Sequence, residues 1–121
     1  MPYISPRLID EEEAAVLEAA IDRAPVLKRI AMPKEAIQGL TVYSVCKCGC
    51  ASIGFISEQE KEPSSTRLIA DGQGRTRDGQ EVGVLVYGSE ERIVEMEVYW
   101  YETSGAPLPE SKSIMAWGEI E

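Results

Sequence analysis

Apolar positions follow two regimes along this chain: helical spacing near the start, then alternation from about residue 40 onward. Ala14, Val16, Leu17, Ala20 and Ile21 recur at the three-to-four-residue interval of a helix, a stripe that needs a sheet or a second helix to cover it. Asp10 ahead of Glu11, Glu12 and Glu13 supplies an N-cap, a capping-box glutamate and acidic charge at the positive end of the helix dipole. Pro25 interrupts this pattern. Residues 26–32 have room for a second helical turn or two, with Leu27, Ile30 and Ala31 apolar; Pro25 is acceptable at a first helical position and Pro33 discourages continuation.

Beyond Gly39 the period changes to two. Residues 40–45 read as a strand with Leu40, Val42 and Ser44 on one face and Thr41, Tyr43 and Val45 on the other. Residues 51–57 read as another strand, with Ile53 and Phe55 sharing a face, before a polar loop over 58–66. A short strand at 67–70, a glycine- and charge-rich connection at 71–80 and a strong strand at 81–87 predict a hairpin. Residues 92–101 place Val94, Met96, Val98 and Trp100 on a core face, with Ile93, Glu95, Glu97, Tyr99 and Tyr101 opposite. A loop over 104–112 precedes a weak final strand or strap at 114–120. The sum is a single α+β domain spanning 1–121, with one or two N-terminal helices on a mainly antiparallel sheet of four or five strands.

Composition narrows the chemistry. Twenty-one acidic against twelve basic residues give a formal net charge of −9, which repels phosphate backbones and anionic membrane surfaces and favours a basic protein as any partner. No apolar run reaches the roughly 20 residues of a membrane-spanning helix, and residues 1–10 lack an export signal, so a cytoplasmic protein is expected. The chain contains no histidine, which removes Ser-His-Asp and Cys-His machinery and imidazole metal sites.

Three cysteines crowd into Cys46-Lys47-Cys48-Gly49-Cys50, so no bridge between distant parts of the chain is available and reduced thiols fit a cytosolic setting. Thiolates at alternate residues can turn toward one ion, with Gly49 letting the backbone bend, which makes Cys46, Cys48 and Cys50 candidate ligands for Zn or Cu(I). A structural zinc takes four ligands, and a carboxylate, water or second subunit would have to complete the set. The plainer explanation is that one or two of these side chains are small buried hydrophobes on a strand face. Glu95 and Glu97 lie two apart on one strand face and extend to Tyr99 and Tyr101, an acidic and aromatic composition suited to recognising a basic protein. Read as paired carboxylates they would suit acid and base roles, and read plainly they are a solvated strand face. The lone G-x-G of Gly72-Gln73-Gly74 lacks the strand-to-helix setting of a dinucleotide site and fits a hairpin loop; Arg67, Arg75 and Arg77 fit pairing with Asp71, Asp78 and Glu81.

The succession Cys46-Lys47-Cys48-Gly49-Cys50-Ala51-Ser52-Ile53, Ile69-Ala70-Asp71, Gly74-Arg75, Asp78-Gly79, Val82-Gly83-Val84-Leu85-Val86 and Glu95-Met96-Glu97-Val98-Tyr99 resembles a group of small bacterial proteins of uncharacterised function. The likeness runs over about residues 40–110, through Pro107-Leu108-Pro109, with Met96 where that group has Leu. It implies a cysteine-bearing turn, a hairpin and a strand, and no activity, cofactor or catalytic residue. In size and character, though not in motif, the chain also looks like immunity proteins that neutralise toxins. The leading expectation is therefore a non-enzymatic, acidic, immunity-like protein-binding module without a cofactor, using Glu95, Glu97, Tyr99 and Tyr101 toward a basic partner. The alternative is a thiolate metal-binding protein, and the third reading a carboxylate- or thiol-dependent enzyme. Sheet edges or the tyrosine-bearing face leave a homodimer open.

Overall fold

A computed structural model describes residues 1–26, 34–89, 92–100 and 105–116. Seven strands, β1 (Tyr3–Leu8), β2 (Thr41–Val45), β3 (Ile53–Gly54), β4 (Arg67–Arg75), β5 (Glu81–Gly88), β6 (Ile93–Tyr99) and β7 (Met115–Ala116), form one antiparallel sheet ordered β1-β2-β3-β6-β5-β4-β7. Among the described residues two α-helices accompany it, α1 (Glu11–Arg23) and α2 (Lys34–Gln38), with a single 3-10 turn at Ser111–Ser113. The α+β class stands, but the expected four or five strands become seven. Strands β3 and β7 are only two residues long, and β1 leaves no strand signal in the sequence.

Helix α1 begins as its sequence dictates. The Asp10 carboxylate accepts from the Glu13 amide at 2.8 Å while the Glu13 carboxylate accepts from the Asp10 amide at 3.1 Å, closing a capping box. Arg7, on β1, donates to both Glu13 carboxylate oxygens at 2.8 Å, so the same glutamate ties the edge strand to the helix start. The buried stripe of α1, including Val16, Leu17 and Ala20, shares a core with Ile53, Ile69, Val84, Val86 and Met96. Burying each Val, Leu, Ile or Met side chain is worth about 1.5–3 kcal/mol, and this is what holds the helix on the sheet. The helix thus covers Met96 of the face expected to be core; Val94 and Val98 of that face are buried too, Val98 in a separate cluster with Val82 and Ala106.

The connection expected at 71–80 is shorter than its composition suggests. Strand β4 continues through Asp71-Gly72-Gln73-Gly74-Arg75, and the turn to β5 occupies residues 76–80, closed by the Gly79 amide on the Thr76 carbonyl at 2.9 Å. The glycines serve close approach. A Cβ on Gly72 would stand 3.0 Å from the Ala24 Cβ, and one on Gly74 would stand 2.7 Å from the Ile114 Cδ1. The second helix expected over 26–32 falls almost wholly outside the described residues, and of the strap expected at 114–120 only Met115–Ala116 is described as strand.

Candidate functional site

The cysteines lie in the turn that joins β2 to β3, not on a strand. Its base is a continuation of the β2–β3 ladder: Val45 pairs with Ile53, and the Cys46 amide donates to the Ser52 carbonyl at 3.3 Å. Within the turn the Gly49 amide donates to the Cys46 carbonyl at 3.3 Å. Gly49 takes φ 90°, a left-handed value that a side chain would resist, so the glycine between Cys48 and Cys50 is what reverses the chain. The far side of the loop is sewn to residues 105–106, through the Ala51 amide on the Ala106 carbonyl at 2.8 Å and the Gly105 amide on the Cys50 Sγ at 3.1 Å. Cys50 and Ala51 also pack on a satellite core of Val82, Val98 and Ala106, beside Trp100 and Leu108.

Ser52 anchors this arrangement from beneath. Its hydroxyl donates to the Val98 carbonyl at 3.1 Å and accepts from the Val98 amide at 2.8 Å. A side chain therefore stands in for the backbone pairing that β3, two residues long, does not supply at that level.

The turn brings the three sulfurs together. All lie within 4.8 Å of one another, with Cys48 exposed and Cys46 and Cys50 half-buried. Cys46 and Cys48 are joined as a disulfide, Cys50 is a free thiol, and the sulfurs of Cys48 and Cys50 are 2.7 Å apart. In place of the three reduced thiols expected, the structure has a bonded pair and one thiol, the turn bringing the Cα atoms of Cys46 and Cys48 to 5.4 Å. Among the described residues no further Cys, Asp or Glu joins the group.

The second candidate site stands on the sheet face away from α1. Cross-strand partners place Asp71, Leu85 and Glu97 in one row and Tyr87 and Glu95 in the next. Glu95 and Glu97 are half-buried, as are Leu85, Tyr87 and Tyr99. Burial pushes the Glu95 carboxyl above the usual range, and Glu97 adds to it while the chain's N-terminal amine opposes. The same crowding raises the Tyr87 phenol, first through burial and then through Glu97, Glu95 and Asp71. Tyr99 lies flat over Gly83, where a Cβ would strike its ring.

Two corrections apply to this face. Ile93, expected to share it, is fully buried in the main core, because the ladder slips between Tyr87 and Gly88 and turns the start of β6 inward. Tyr101 lies outside the described residues. Elsewhere, Arg75 pairs with Glu81 at 3.6 Å, both exposed, a contact worth little. A groove of about 830 Å³ runs between the start of α1, the β4–β5 turn and residues 107–112; it contains neither the cysteines nor Glu95 and Glu97. The described helices include none long and apolar enough to cross a membrane.

No family model matches this chain, and no curated protein or solved structure matches it either.

Proposed function

We propose that the protein binds a soft, thiophilic metal ion through Cys46, Cys48 and Cys50, with Cu(I) the best fit and Zn the second. The observation that carries this reading is the convergence of three sulfurs within 4.8 Å on a loop held by bonds to Ser52, Gly105 and Ala106. Soft thiolates select Cu(I) or Zn over hard cations. A closed zinc site takes four ligands, so a three-sulfur set favours Cu(I), which accepts two or three sulfurs; zinc would bring water or an outside ligand. Reduction of the Cys46–Cys48 bond must precede loading, since only thiolates ligate. Reduced protein, prepared without oxygen and offered one equivalent of Cu(I) against a chromogenic Cu(I) chelator, should retain a single ion per chain. A variant with all three cysteines changed to serine should retain none. Equal retention by both proteins would remove the reading.

A second reading is favoured by a separate observation, the crowding of the half-buried Asp71, Glu95 and Glu97 with Leu85, Tyr87 and Tyr99 on the sheet face away from α1. This is a surface for a basic protein partner, non-enzymatic in itself, and it agrees with the net charge of −9. Changing Glu95 and Glu97 together to lysine should lower the salt at which the protein elutes from a polylysine matrix by more than the same change at the exposed Glu11 and Glu12 does, and leave folding intact by circular dichroism. Unchanged retention would count against this face.

A further inference from the structure

We propose that the cysteine loop exchanges disulfides with low-molecular-weight disulfides of the glutathione class, with Cys48 as the sulfur that changes partner between Cys46 and Cys50. The exchange uses the sulfurs of the proposed metal site but does not need the ion. It stands on three placements: Cys48 is already bonded to Cys46, the free sulfur of Cys50 is 2.7 Å from that same Cys48 sulfur, and Cys48 is the exposed member of the three. The Gly105 amide fixes the Cys50 sulfur at 3.1 Å, so the third sulfur is aimed rather than free to swing away. A thiol held against a disulfide turns a bimolecular exchange into a unimolecular one. Lys47, exposed beside Cys48, brings positive charge to where an anionic disulfide such as glutathione's would arrive.

The chemistry closes without further reagents. In the reduced loop the Cys48 thiolate attacks one sulfur of the small disulfide; a mixed disulfide forms on Cys48 and the first small thiolate leaves with the proton that Cys48 gave up. The thiolate of Cys46 or of Cys50 then attacks the Cys48 sulfur, forming the internal disulfide and expelling the second small thiolate, which takes the attacker's proton. Two protein thiols are oxidised and one small disulfide is reduced to two thiols. From Cys46–Cys48, the Cys50 thiolate can displace Cys46 and produce Cys48–Cys50, with no net redox change. Either oxidised form keeps a single thiol and so loses the three-sulfur donor set, which couples ion release to oxidation.

The test uses the full chain, reduced and freed of metal with a chelator, then exposed to glutathione disulfide, acid-quenched, alkylated and digested with trypsin. Cleavage after Lys47 puts Cys46 on one peptide and Cys48 with Cys50 on the next, so the two isomers separate by mass. Both isomers are expected in the wild type. Cys46→Ser and Cys50→Ser should each still form the remaining internal disulfide, whereas Cys48→Ser should slow it by about tenfold or more and accumulate glutathione adducts. Persistent adducts on Cys48 without internal closure, or a wild-type product in which Cys50 is always alkylated, would overturn the proposal. Because the chelator is present throughout, the result is independent of the metal reading. Exchange in a protein that holds no ion removes only that reading, and ion binding without exchange removes only this one.

Discussion

Glu95 and Glu13 show how one residue type is put to opposite uses by its surroundings. Burial pushes Glu13 up, but the Arg7 hydrogen bonds, the Asp10 amide and the Arg7 charge together outweigh it, and its carboxyl ends below the ordinary value. A lowered folded-state value contributes stability above the unfolded value and loses it as pH falls through the folded one. Glu95 has the reverse sign: burial and Glu97 raise it, so the native state binds the proton more tightly than the unfolded chain. Its charge therefore costs stability at neutral pH, and the cost disappears as pH falls from above the folded value to below the unfolded one. Glu95→Gln should accordingly stabilise the fold at pH 7 by about 0.5 kcal/mol, a small effect because half of the group remains in water. Urea denaturation at pH 7 and pH 4 checks this: the gain should shrink in acid, and an equal gain at both would show that the carboxylate charge is not responsible.

At the scale of elements, the cysteine loop depends on the Ser52 hydroxyl, which carries the β3–β6 joint past the end of its backbone ladder to Val98. Ser52→Ala would leave the Val98 amide and carbonyl buried without that partner, at a cost of about 1–3 kcal/mol. The expected outcome is a lower urea midpoint together with faster amide exchange at Cys46, whose own hydrogen bond runs to the Ser52 carbonyl. Unaltered exchange there would show that the loop holds itself. Several elements are legible in the sequence: α1 from its cap and stripe, β2, β5 and β6 from alternation, and the β4–β5 hairpin. Those that are not have physical causes. Strand β1 is an exposed edge strand carrying Pro6, where neither alternation nor propensity leaves a signal, and edge strands tolerate proline. The second half of β4 is hidden because glycine for close packing and glycine for a turn look alike in one sequence; only Ala24 and Ile114 pressing on Gly72 and Gly74 separate them. The cysteine triplet is legible as a candidate, but its bonded pair is not, since whether Cys46 meets Cys48 depends on how tightly the turn closes.

In the whole molecule, β6 connects the two candidate surfaces. Its Glu95 and Glu97 stand on the face turned away from α1, and Val98, next along the strand, is clamped to the residue that anchors the cysteine loop. The net charge of −9 and the carboxylates of β6 agree with the basic partner proposed above. X-ray absorption at the metal edge of the reduced, loaded protein reads the proposed three-sulfur site from the ion outward. Three sulfur scatterers are expected around the ion, at about 2.3 Å if the ion is zinc, and they should fall in number when Cys48 is changed to serine. A spectrum dominated by oxygen or nitrogen neighbours, unchanged by that substitution, would contradict it.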